Sequence, residues 1–235
     1  MIASVPGSTP IILVDNGYTN TFETVSKERS VKIIRLTSNH GFGQGCNEGA
    51  KYATTPLLLF LNPDARLGER ALNSLLEGVA NYPNGSAFNP RISNDNGKNY
   101  FKRRSYLLPR TLWMKRGCPK TDREVPVLSG AALLVSKRNF DLVGGFDKNI
   151  FLYHEDDDLS IRLRRFGPLF YIVELSRVSW LRAFFCSLTR NRLFQSTPFG
   201  DVKSLRGKEA RQALSGVVDN HPVLVTSPLP FKYNL

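Results

Sequence analysis

Short apolar runs bounded by turn residues dominate the first third of the chain. Residues 11–14 read IILV, and Asp15-Asn16-Gly17 follows directly, which is strand-then-turn chemistry. Residues 31–36 (VKIIRL) give a second strand pattern, after which residues 38–45 are polar and rich in glycine. A helix is predicted over about residues 46–53, ended by Pro56. Residues 57–61 (LLLFL) form a third strand, closed by Asn62-Pro63-Asp64. Residues 69–82 carry Leu72, Leu75, Leu76 and Val79 on one helical stripe. The order strand, strand, helix, strand, helix predicts an α/β chain with a mostly parallel sheet covered by helices.

The pattern then loosens. Residues 91–126 are basic and include Lys102-Arg103-Arg104. Residues 127–135, with Gly130 inside, predict another strand, and residues 140–145 a short helix. Residues 155–166 (EDDDLSIRLRRF) predict a helix whose acids stand in the first turn and arginines in the last, the polarity the helix dipole favours. Residues 171–173 are a short strand candidate, and beyond them periodicity is weak.

Composition narrows the class. At 235 residues the chain suits one large domain or two small ones, and 41% hydrophobic with 22% charged residues excludes a disordered or fibrous chain. The net charge of +12 points to an acidic partner: a phosphate-bearing substrate, nucleic acid or anionic lipid. Yet residues 177–235 hold nine Lys or Arg against three Asp or Glu, so half of the surplus lies outside the patterned region. Cys46, Cys118 and Cys186 are odd in number and far apart, which argues against a disulfide framework or zinc site and for a reducing cytosol. No apolar run approaches the ~20 residues of a membrane span, and residues 1–10 lack a signal-peptide pattern.

Ligands of open parallel sheets bind at the carboxyl ends of strands, which singles out Asp15, the 39–47 loop and Asp64. Each aspartate is either a turn or cap residue or a metal or nucleotide contact. Gly41, Gly43 and Gly45 match neither a Walker loop nor the dinucleotide fingerprint, so the loop is either a plain turn or a close backbone approach to a ligand. Glu155-Asp156-Asp157-Asp158 is the strongest cluster. It is either a solvated first helical turn or a carboxylate pair in which one member stays basic enough to take a proton, with His154 beside it.

Five segments carry a resemblance to a known family: VDNGYTN at 14–20, NHGFGQGCNEGAKYA at 39–53, LLFLNPDA at 58–65, VLSGAALLVSKRNFDLVGGFD at 127–147 and FLYHEDDDLSIRLRRFG at 151–167. In this order they resemble the inverting family 2 glycosyltransferases, nearest the rhamnosyltransferase-like branch of bacterial polysaccharide synthesis. The resemblance implies a GT-A fold, a Rossmann-like mixed and mostly parallel sheet flanked by helices. It also implies transfer of rhamnose or a related hexose from a nucleotide-diphosphate sugar to a glycan or lipid-linked acceptor, with inversion and a Mg²⁺ or Mn²⁺ cofactor. By the same resemblance Asp15 contacts the nucleobase, and Asn39, Gly41 and Asn47 pack around the nucleoside. Gly130 lies near the donor sugar, Asp64 holds the metal and Asp156 is the general base. Asn62 stands where many members carry the first aspartate of the metal motif.

Two departures qualify the resemblance. The family begins with a strand and helix ahead of the VDN motif, and residues 1–10 resemble neither, so the sheet is expected to lack an inner strand and to expose an unpaired edge. The family's later histidine is also missing, since residues 177–180 read RVSW and His221 stands in an unfamiliar context. The expected organisation is therefore an N-terminally truncated glycosyltransferase domain over residues 1–176 and a divergent basic tail over 177–235, the tail being either out of frame or divergent but genuine. A truncated, inactive homologue is the alternative reading. The expected location is the cytoplasm, with peripheral contact at the inner face of the cell membrane through residues 182–193 (RAFFCSLTRNRL), which read equally as a packed helix. No specific nucleic-acid partner is expected, because the basic residues form no recognised binding motif.

Overall fold

The all-apolar strands of the N-terminal half are explained by a sheet buried on both faces. In the computed structural model, which describes residues 1–17, 31–94, 96–180 and 223–226, ten strands form one sheet. They are β1 (Ile11–Asn16), β2 (Val31–Leu36), β3 (Leu57–Leu61), β4 (Ala65–Leu67), β5 (Ala87–Asn94), β6 (Asn99–Tyr100), β7 (Arg123–Val125), β8 (Ala132–Ser136), β9 (Leu169–Trp180) and β10 (Val223–Thr226). The order is β2-β1-β10-β3-β8-β5-β9-β4, with β6 on β5 and β7 on β9. The pairs β1–β2, β1–β10 and β10–β3 are parallel, whereas β3–β8 and β8–β5 are antiparallel and β5–β9 is again parallel. The mixed α/β layout expected from the sequence is thus present, with its parallel part at the N-terminal side.

Alternate residues of each strand face opposite sides, so a buried run splits between two cores. Leu58 and Phe60 of β3 join Ile12, Val14, Leu133 and Val135 in one cluster, while Leu57, Leu59 and Leu61 join Ile11, Ala132 and Leu134 in the other. The first cluster is covered by α1 (Phe42–Ala50), α3 (Lys137–Leu142) and α4 (Glu155–Leu163). Its centre is aromatic, with Phe60 4.8 Å from Phe140 and 5.2 Å from Phe146 between ring centroids. The second cluster is covered by α2 (Ala71–Asn81), whose Ala71, Leu72, Leu75 and Val79 are the buried stripe read from the sequence.

One expectation is overturned. The position between β1 and β3, expected to be vacant and to leave an unpaired edge, is occupied by β10. Leu224 pairs in parallel register with Ile11 on one side and Leu59 on the other. A segment 160 or more residues downstream supplies this strand, and no local signal near residue 11 could reveal it. The sheet therefore draws on both segments, 1–176 and 177–235, and β9 runs through residues 176 and 177. Residues 182–193 lie outside the described residues.

Other boundaries shift for identifiable reasons. Helix α1 begins at Phe42 rather than near residue 46, because the glycine stretch is itself helical and packed. A Cβ on Gly43 would stand 2.9 Å from the Cβ of Phe146, so the glycine admits that ring. The strand predicted over 127–135 is a strand only from Ala132. Leu128–Ala131 instead form a loop whose amides are claimed by side chains: Leu128 N donates to Ser160 Oγ at 3.0 Å and Ser129 N to Asn89 Oδ1 at 2.6 Å. Helix α3 starts at Lys137, where the Ser136 hydroxyl caps it by accepting from Asn139 N at 3.0 Å.

Candidate active site

The parallel strands β1 and β3 end on the same edge of the sheet, and the antiparallel β8 begins there, since Leu61 pairs with Ala132. Three loops meet on this edge. The first follows β1. Asp15 and Asn16 are both buried at its end, and the Asn16 side chain spans to the next loop, donating to Gly41 O at 2.8 Å and accepting from His40 N at 3.0 Å. Asn39 Oδ1 accepts from Gly41 N at 2.9 Å. Gly41 sits at φ 86°, and a Cβ there would lie 2.1 Å from the Phe151 carbonyl oxygen, so both backbone conformation and space require glycine. From α1, Asn47 Nδ2 donates to Phe146 O at 2.8 Å and Asn47 Oδ1 accepts from Phe146 N at 2.8 Å. Both asparagines are therefore engaged in fixing loop backbone, Asn39 at Gly41 and Asn47 at Phe146.

The second loop is the Asn62-Pro63-Asp64 turn after β3. Asn62 N donates to Ala131 O at 3.1 Å, which seats this turn against the Gly130 loop. Asp64 is half-buried on the turn. The third loop is that of Gly130, held from β5 by Asn89 and from α4 by Ser160 and Asp156. Gly130 N donates to Asp156 Oδ2 at 2.8 Å, and a Cβ on Gly130 would stand 3.3 Å from Asp156 Cβ. The backbone bond from Asn62 to Ala131 and the bond from Gly130 to Asp156 thus link the turn that carries Asp64 to the start of α4 that carries Asp156.

Around Asp156 the acids of α4 are sorted by their partners. Asp156 Oδ1 accepts from Asp157 N at 2.9 Å and pairs with Lys102 Nζ at 2.7 Å, while Lys102 also reaches Asp157 Oδ1 at 2.9 Å. The other oxygen of Asp157 meets His154 Nδ1 at 2.9 Å. Burial alone would raise the Asp157 pKa, but the His154 hydrogen bond and Lys102 outweigh it and hold the carboxyl below its ordinary 3.8. Burial likewise pulls Lys102 toward the neutral amine, and the Asp156 and Asp157 charges overcome it, so its ammonium is held above the ordinary value. Asp158 turns to Arg162, which donates on to the carbonyls of Val143 and Gly145. Tyr153 and His154 carry positive φ of 64° and 68°, an unusual conformation at the entry to α4 that sets the direction of this acidic turn.

Glu155 behaves differently. It is buried, and its Oε2 has no hydrogen-bond partner among the described residues. Burial first, then the neighbouring Asp156 charge, pushes its pKa up to about 8, so at neutral pH it is a neutral acid. The sign follows from linkage. The folded value exceeds the ordinary 4.5, so Glu155 costs nothing below about pH 4.5, costs progressively more between 4.5 and 8, and costs its full amount above 8. Glu155→Gln is therefore expected to melt with the wild type at pH 4.5 and above it at pH 8.5, by on the order of a few kcal/mol. Thermal melts across that range check this, and a gap independent of pH would contradict it.

The sequence reading missed Lys102 and Asn16 as site-building residues. Asn16 adjoins Asp15 in the same turn signal, whereas Lys102 lies 54 residues before Asp156 and carries no local mark of its role. Among the described residues no group of three or more His, Cys, Asp or Glu side chains is placed to hold a metal ion. No helix among them is long and apolar enough to cross a membrane.

Comparison with known proteins agrees with this architecture. Over 199 residues the chain is 29% identical to the N-acetylglucosaminyl-diphospho-decaprenol L-rhamnosyltransferase of Mycobacterium tuberculosis, covering 72% of this chain and 65% of that protein. GalNAc-T7, solved with UDP, GalNAc and Mn²⁺, superposes with a TM-score of 0.57 at 16% identity, over 77% of this chain and 39% of that one. Residues 1–349 of Staphylococcus aureus TarS in complex with UDP superpose with a TM-score of 0.52 at 16% identity, over 72% of this chain and 52% of that one. The structural likenesses share the GT-A fold, and the chain spans less than two thirds of the curated relative it matches. Residues 7–143, more than half of the chain, match the family model described as Glycosyl transferase family 2, and the chain belongs to that family.

Proposed function

We propose that this chain transfers a sugar from a nucleotide-diphosphate donor to an acceptor hydroxyl, with inversion at the sugar carbon and Asp156 as general base. The observation that carries the reading is the junction of Asp156 with the Gly130 loop, itself seated against the Asn62–Asp64 turn at the carboxyl ends of the parallel strands. Family membership and the likeness to UDP-bound GT-A structures support the donor class. The donor sugar is rhamnose or a related hexose and the acceptor a glycan or lipid-linked glycan, supported by the likeness to the mycobacterial rhamnosyltransferase.

In this reaction the acceptor oxygen attacks the anomeric carbon from the face opposite the diphosphate. Its proton passes to the Asp156 carboxylate, the new C–O bond forms, and the old one breaks with its electron pair leaving on the diphosphate. A poor nucleophile becomes effective only if the base is positioned, and Asp156 is fixed by donors on both oxygens. Asp64 is the residue that would hold Mg²⁺ or Mn²⁺. The half-buried Asp64 carboxylate is a hard oxygen donor of the kind that fits a cation shared with a diphosphate, because such ions keep several waters and take only one or two protein carboxylates. When bound, the cation supplies neutralisation of the charge that gathers on the leaving diphosphate. In this reading Asp15, with Asn39, Gly41 and Asn47 shaping the adjoining loops, binds the nucleoside, and the Gly130 loop packs against the donor sugar.

Purified protein incubated with a panel of nucleotide sugars, Mn²⁺ and candidate glycan or lipid-linked acceptors is expected to release nucleoside diphosphate. Absence of both donor binding and release across the panel would refute the reading. Cosedimentation with anionic vesicles tests for a peripheral membrane location.

A further inference from the structure

Among the described residues, one side chain from outside α4 pairs with both Asp156 and Asp157. Lys102 lies in the segment between β6 and β7, and its ammonium sits between Asp156 and Asp157 at 2.7 and 2.9 Å. Its side chain is 16% exposed, so little water shares the interaction. Without it two adjacent carboxylates would face each other inside a partly buried site, where like charges resist joint ionisation.

We propose that Lys102 is a positioning residue for Asp156: its ammonium holds the carboxylate in its productive orientation and cancels the charge of Asp157 beside it. The inference rests on the sugar-transfer reading above and deepens it. The geometry makes the role specific. Asp156 Oδ2 is fixed by Gly130 N and Oδ1 by Asp157 N, so Lys102 is the one charged donor on the carboxylate among the described residues. Three donors, two on Oδ1 and one on Oδ2, define the plane of the carboxylate and leave acceptor capacity on Oδ2 for an incoming hydroxyl proton. The groups facing this carboxylate are few. Helix α4 contributes Glu155, Asp157 and, through Asp157, His154. The segment before β7 contributes Lys102 with Tyr100 near it, and the Gly130 loop contributes only an amide. Lys102 is thus the cation that faces both carboxylates, with His154 on the far oxygen of Asp157.

The test uses pH profiles of kcat and kcat/KM for nucleotide release by Lys102→Met, Lys102→Arg and the double variant Lys102→Met with Asp157→Asn. Lys102→Met is expected to lower kcat about 10–100-fold with the donor KM changed less than about threefold, and to move the acid limb up by roughly 1–2 pH units. Lys102→Arg keeps the charge and is expected to recover the wild-type limb. The double variant removes the like charge together with the cation, so its acid limb is expected to return toward wild type, which a packing role would not produce. An unchanged limb in Lys102→Met overturns the inference. If Lys102→Met does not fold, the other two variants decide the matter, and a limb displaced in both overturns it. A wild-type protein that turns over no donor removes the sugar-transfer reading and this inference with it, whereas wild-type turnover with an unaffected Lys102→Met strikes Lys102 alone.

Discussion

Asp156→Asn is expected to lower kcat for nucleotide release by about 10²–10⁴-fold while donor binding stays within a few-fold of wild type. The split follows from what the amide keeps and loses. Its oxygen still accepts one of the two backbone hydrogen bonds, from Gly130 or Asp157, so the loop and the start of α4 retain most of their anchorage. What is lost is the group that takes the acceptor's proton. Lys102 also loses one of its two carboxylates but keeps Asp157, so the variant avoids an unpaired buried ammonium. Initial rates measured beside calorimetric titration of the nucleotide check both halves. A rate within a few-fold of wild type would exclude Asp156 as the base.

Leu224→Pro is expected to cost about 3 kcal/mol or more and to degrade the cooperativity of unfolding. Strand β10 is interior, paired with β1 and β3, and proline in an interior strand removes a ladder hydrogen bond and crowds its neighbour. Both neighbours lead into the candidate site, since β1 ends in Asp15 and Asn16 and β3 in the turn carrying Asp64. Loss of β10 should therefore release amide protection in Ile12, Leu13, Leu59 and Phe60 together, which hydrogen exchange reads directly. A variant that melts within about 1 kcal/mol of wild type and keeps that protection would show that β10 contributes little to the sheet.

Much of the site was legible in the chain because its residues lie in short local motifs. The VDN, NPD and HEDDD segments each put their polar residues directly beside an apolar run or at a helix start. The end of a buried strand or the first turn of a helix is where a side chain can leave the core and meet a ligand. Gly41 was legible for a similar reason, since its positive φ belongs to its own turn. The Gly130 loop was misread as strand because Val127, Leu128, Ala131 and Ala132 are apolar and buried, yet the amides of Leu128, Ser129 and Gly130 bond to side chains of β5 and α4. Apolar periodicity reports burial, and burial does not say which partner satisfies the backbone.

The sequence alone determined that strands β1 and β3 are buried on both faces, that α2 presents one apolar stripe, and that acids crowd the first turn of α4. These follow from side-chain chemistry and the periods of strand and helix, which act over a few residues. Only the tertiary structure decided that Val223–Thr226 fills the place between β1 and β3, that Lys102 neutralises Asp156 and Asp157, and that Glu155 is left as a buried acid. Strand pairing and charge pairing depend on distance in space, and folding brings together residues 54 and more than 160 positions apart whose neighbours in the chain say nothing of each other.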